Sequence, residues 1–141
     1  MVFIVDKEGT FEASLDKIWR FLGAPPSAHA HPGNINVQTE MDGEHVILSF
    51  ENQIPGAAGR VKQKIKMTMF PPVGLMMEYI DGPMSGSKSM QYYQPKGPKT
   101  EVFVVGEYTS NVIPESQLKS MVLKNLERAF EEDQVNLERF K

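Results

Sequence analysis

The sequence predicts an α+β protein: an antiparallel sheet of about seven strands, a long C-terminal helix lying on it, and two short helices after the first strand. Three observations carry this. From Pro114 to Lys141 the apolar residues Leu118, Met121, Val122, Leu126, Ala129, Phe130, Leu137 and Phe140 recur at i, i+3, i+4 spacing, the stripe of an amphipathic helix. A helix of about 26 residues makes a rod of roughly 39 Å, which needs a surface to lie on. Nearly everything between Asn34 and Ser110 reads as short strands punctuated by Gly and Pro. The connections between those strands are short, which makes the sheet an antiparallel meander.

Residues 2–13 read as the first strand. Alternation places Phe3, Val5, Phe11 and Ala13 on one face and Asp6, Glu8 and Glu12 on the other. Ser14 caps a short helix whose stripe is Leu15, Ile18, Trp19 and Leu22, and Gly23 ends it. Pro25 and Pro26 break that helix and start a second short one at SAHAH, closed by Pro32-Gly33. In NINVQTEM, Ile35, Val37 and Thr39 share a face. Asp42-Gly43 is read as a two-residue hairpin turn into HVILSFENQ.

RVKQKIKMTMF is the cleanest alternation. Val61, Gln63, Ile65, Met67 and Met69 point one way, and Arg60, Lys62, Lys64, Lys66 and Thr68 the other. A slip of one residue would bury four cations, so the face is fixed. Pro71 to Gly74 turns the chain into LMMEYI, with Leu75, Met77 and Tyr79 inward. SKSMQYYQ and TEVFVVGEYTS follow, joined by PKGPK, read as a loop that ends the ladder. Pro114 is read as the first residue of the long helix. One helix covers one face of a sheet, so the outer face should be polar, and the row of four cations agrees.

Composition bounds the function. The chain has 141 residues, 40% of them hydrophobic, enough for one domain with its own core. No cysteine is present, which excludes disulfides and thiolate chemistry and fits a cytoplasmic location. A net charge of −3 lacks the basic footprint of nucleic-acid binding. No apolar run approaches the roughly 20 residues of an integral membrane segment. The opening MVFIVDKEG is too short and too acidic for a signal peptide. There is no nucleophilic serine motif, dinucleotide fingerprint or acid/base carboxylate pair, so no catalytic residue is assigned. No motif fixes an oligomeric state.

The order of elements resembles the START-like superfamily, which includes Bet v 1 allergens and polyketide cyclases (SRPBCC proteins). The carriers are FEASLDKIWRFL after a strand, the HPG entering a strand, the PPVGL hairpin, TEVFVVGEYTS and the closing LERAFEEDQVNLERFK. The similarity spans nearly the whole chain, which is read as a single START-like domain over residues 1–141. It is nearest to single-domain members related to the carbon-monoxide-dehydrogenase G-subunit proteins, in which a Pro-Gly follows the short helices and a Glu-Asp pair sits in the last helix, as Pro32-Gly33 and Glu132-Asp133 do here. The resemblance implies a helix-grip fold: a curved sheet around the C-terminal helix, with an apolar cavity between them.

A cavity of that kind would be lined by the flexible, polarisable Met67, Met69, Met77 and Met121, by Phe130, and by Tyr79, Tyr92 and Tyr108, whose hydroxyls orient a ligand. Each is equally at home in an ordinary core. Of Tyr92 and Tyr93 only one can face in. Asp133 falls on the apolar stripe between Phe130 and Leu137. It needs a partner such as Arg20, or protonation, or water, and it is the candidate polar handle. His29 and His31 could share a metal with Asp133 if the segment is extended, yet the spacing departs from known two-histidine carboxylate sites. No metal and no cofactor is assigned. The expected function is binding of a hydrophobic or amphipathic small molecule, lipid-like or aromatic. The alternatives are a cyclase- or dehydratase-like enzyme in the same cavity, or an assembly or chaperone-like module using the basic row.

Overall fold

Seven strands and two helices build the chain in the computed structural model, which describes residues 1–141. In order they are β1 (Val2–Phe11), α1 (Leu15–Leu22), a single 3-10 turn (Pro26–Ala28), β2 (Ile35–Asp42), β3 (His45–Gln53), β4 (Arg60–Phe70), β5 (Gly74–Asp81), β6 (Lys88–Lys96), β7 (Lys99–Tyr108) and α2 (Glu115–Arg139). The strands form one antiparallel sheet in the order β1-β7-β6-β5-β4-β3-β2. The sheet curves around α2, the helix-grip arrangement. The second short helix shrinks to three residues because prolines bracket it at Pro25 and Pro32. Pro114 sits at the N-cap of α2, one position earlier than expected.

The first strand corrects the sequence reading. Phe3 and Val5 are 68% and 63% exposed, while Ile4, Phe11 and Ala13 are buried. The register explains it. Asp6 lies opposite Val104 but Gly9 lies opposite Val102, so β1 holds one extra residue. A bulge of that kind exchanges the two faces for everything on one side of it. Gly9 suits the spot, since a Cβ there would sit 3.0 Å from the Val102 carbonyl oxygen and 3.2 Å from the Phe130 ring.

Two turns also shift. The β2–β3 hairpin closes on Asp42 and His45, so its two loop residues are Gly43 and Glu44. Gly43 takes φ +62° at the first of them, the II′ arrangement, which suits a glycine there. The β6–β7 ladder runs on through Pro95 to the Lys96–Lys99 pair, past the expected stop. The Tyr93 N–H points toward β5, to the Val73 carbonyl, so the N–H that Pro95 lacks would point the same way. No strand continues there, and the proline removes no ladder bond.

The outer, convex face is not simply polar. The β4 lysines point outward as expected, but their cross-strand neighbours are acidic: Lys62 faces Glu51, Lys64 faces Asp81 and Lys66 faces Glu78. Phe3, Val5, Val105, Tyr92 and Phe70 are exposed on the same face. No helix is long and apolar enough to cross a membrane.

Candidate functional site

The concave side does not close into one core. One buried cluster joins Phe11, Ile18, Phe21, Leu75, Tyr93, Val102, Val104 and Leu137 beneath α1 and the C-terminal half of α2. A second joins Ile4, Ile54, Met84, Tyr108, Ile113, Leu118 and Val122 beneath its N-terminal half. Leu126 packs against both and is itself half-buried. Between the clusters lie inward positions of the central strands that remain half-buried. Met67 faces Met77 across β4 and β5, Met69 faces Leu75, and Tyr79 faces Ile65. Met69 and Met77 flank the first cluster, and Met121 and Tyr79 the second.

Polar groups sit among these apolar walls. Gln91, inward on β6, donates from its amide to the Met77 sulfur at 3.7 Å and accepts from the Tyr93 hydroxyl at 3.2 Å. Trp19 packs edge-on against Tyr93, with centroids 5.7 Å apart, and donates to the Pro72 carbonyl at 3.3 Å. Burial pushes the Tyr79 phenol up to about 12 and raises Tyr108. Tyr93 is raised as well, by burial first and by the charge of Asp133 second. All three therefore stay protonated at neutral pH and present O–H groups. Gln63, on the inward row of β4, donates to Asn52 at 2.7 Å, while its Oε1 is buried with no partner.

At the C-terminal end of α2 a histidine bridges two carboxylates. His31 Nδ1 lies 2.9 Å from Glu132 Oε1, and Nε2 lies 3.1 Å from Asp133 Oδ1. Each nitrogen faces a carboxylate oxygen, which accepts, so the site favours the imidazolium form with both N–H groups donating. The hydrogen bond to Asp133 is the larger cause of a pKa raised to about 9, against a smaller opposing effect of burial. A ring with both nitrogens engaged offers no lone pair to a metal, and no group of three or more His, Asp or Glu side chains is placed to hold one. His29 diverges to lie tilted against the Phe21 ring, with centroids 4.3 Å apart, and burial lowers its pKa. Asn136 donates to the Ala30 carbonyl at 3.0 Å, so the His29–His31 segment is tied to α2 by side chains on both sides.

The expected site residues divide accordingly. Met67, Met69, Met77 and Tyr79 lie on the concave strands, with Met121 on the facing helix. Tyr108 is buried in the second cluster and Phe130 packs edge-on against Phe11 at 5.5 Å. Tyr92 is 40% exposed on the convex face, away from α2, and Tyr93 takes the inward place. Asp133 has the partner it needed, but the partner is His31. Arg20 instead pairs with Asp16 and lies over the Phe140 ring. Sequence reasoning did not single out Gln91 or Asn136, whose roles depend on residues brought in from other elements. Gln63 carried a signal, a lone amide in an apolar row.

The sequence matches no protein-family model and no curated protein. The fold matches solved structures. A START superfamily protein from Mycobacterium smegmatis superposes with a TM-score of 0.78 at 13% identity, covering 99% of each chain. The Zhui aromatase/cyclase of a Streptomyces species gives 0.77 at 11%, covering 98% of this chain and 94% of that one. Norcoclaurine synthase from Thalictrum flavum, in complex with dopamine and hydroxybenzaldehyde, gives 0.68 at 19%, covering 99% and 89%. These START-like and Bet v 1-like similarities are of fold.

Proposed function

We propose that the chain binds a hydrophobic or amphipathic small molecule, lipid-like or aromatic, between the concave face of the sheet and α2. The observation that carries this is the split core. The methionines between the two clusters point inward yet stay half-buried, and methionine suits a wall that adapts to varied apolar shapes. Affinity would come from burying ligand surface, at roughly 25 cal/mol per Å². The phenol of Tyr79 and the unpartnered Gln63 Oε1 would orient a ligand that carries a hydroxyl or carbonyl. The Pro32-Gly33 and Glu132-Asp133 motifs support a kinship with the carbon-monoxide-dehydrogenase G-subunit group, and the lack of cysteine supports a cytoplasmic setting.

Trp19, the single tryptophan, touches Tyr93 and reports on this space. Titration with anilinonaphthalene sulfonate should change its emission saturably, and native mass spectrometry should find a co-purified small molecule. Met77→Trp should weaken probe binding more than tenfold, and Met77→Leu should leave it near the wild-type value. No co-purified mass together with no saturable response would sink this reading.

A second reading, an enzyme on the same scaffold, draws on Tyr93 and Asp133, whose charge acts on the phenol. Asp133→Asn should then abolish turnover while leaving probe affinity unchanged. His31 is no general base under either reading, because it is held as a cation through neutral pH.

A further inference from the structure

The convex face carries an ordered pattern that ligand binding on the other side does not use. Register places Glu107, Lys88, Glu78 and Lys66 side by side across β7, β6, β5 and β4. Signs alternate and the row sums to zero. Lys88 already pairs with Glu107 at 3.1 Å. Two residues along the strands runs an uncharged row, Val105, Met90, Met76 and Thr68. Beyond that, Phe103 and Tyr92 stand on one side of Gly74 and Phe70 on the other. Gly74 has no side chain, and none fits, since a Cβ would lie 1.9 Å from the Gln91 carbonyl oxygen.

We propose that this face is a self-association surface, on which a second copy docks its own convex face about a two-fold axis parallel to the strands and between β5 and β6. Such an axis keeps each row in place and reverses its order. A row of four alternating charges is complementary to its own reversal. Glu107 then meets Lys66 of the second copy, and Lys88 meets Glu78. Met90 meets Met76 across the axis. A face with no net sign has nothing to offer a uniformly acidic or basic partner, whereas an isologous contact needs a patch that complements itself. Sheets stack face to face with their strands nearly aligned, which matches this axis.

The charges supply a decisive test. In a K88E homodimer the axis places like charges together at both 88–78 contacts, and an E78K homodimer does the same with the opposite sign. A mixed pair of the two variants places opposite charges at every step. Light scattering on the eluting protein should show wild-type dimers at tens of micromolar. Each variant alone should elute as a folded monomer, with its dissociation constant raised at least tenfold, and the equimolar mixture should return to dimer. Carbodiimide cross-linking of isotopically labelled with unlabelled wild type needs no variant. It should join Lys66 of one copy to Glu107 of the other, residues about 14 Å apart within one copy. A wild type that stays monomeric at hundreds of micromolar overturns the proposal. So do single variants that remain dimeric, or a mixture of monomeric variants that fails to pair.

Discussion

The two halves of α2 are held by different forces. Its N-terminal half rests on Leu118 and Val122, both buried among Ile4, Ile54, Met84 and Ile113, with few polar contacts. Its C-terminal half buries Leu137 too, but it is ringed by directional bonds. His31 bridges Glu132 and Asp133, Asn136 holds the Ala30 carbonyl, and Gln134 accepts from the Glu12 N–H at 2.9 Å. Burial of apolar surface has no orientation and does not titrate. Hydrogen bonds to charged groups fix orientation and fail when the charge is lost. The first half sets how strongly the helix adheres. The second sets where the loop between α1 and β2 sits against it.

This contrast can be broken at its strongest point first. Leu118→Ala should cost about 3 kcal/mol, because it leaves a cavity in a cluster of buried side chains. Urea unfolding should give the same loss at pH 6 and pH 10. A loss that shrinks with pH would place ionisation at the apolar end and erase the distinction.

His31→Gln is the matching change at the other end, worth about 2 kcal/mol at pH 6. Its sign follows from a folded pKa raised above 6.5 to about 9. The stabilisation is fully present below pH 6.5 and is lost as pH rises through 9. The gap between variant and wild type in thermal unfolding should therefore be widest near pH 6 and close toward pH 10. A gap independent of pH would mean that His31 packs as a neutral ring. The smallest effect is expected for Gln134→Ala, about 1 kcal/mol, seen as faster amide exchange at Glu12 with the rest of the sheet unchanged. Exchange spreading along all of β1 would show that this single bond anchors the strand.

Much of this fold was legible because its period is local. The alternation in Arg60–Phe70 and the stripe in α2 each follow from neighbours a few residues apart. The β1 faces were misread because alternation is blind to an inserted residue. Gly9 was the available sign, since a glycine inside a strand often marks a bulge. The partner of Asp133 lies 102 positions away, and helical angle alone shows only that a partner is required. The exposed apolar convex face was out of reach for the same reason. It exists only once the register of five strands is known.

The bulge in β1 has a counterpart. β2 carries its own irregularity between Ile35 and Gln38, where Asn36 takes φ +52°. These are the two outermost strands of the sheet. Each free margin is thus kinked where an unpaired row of N–H and C=O groups would otherwise template another strand. The sheet is guarded against growing sideways into fibrils, and that leaves its broad faces as the surfaces on which other molecules can be met.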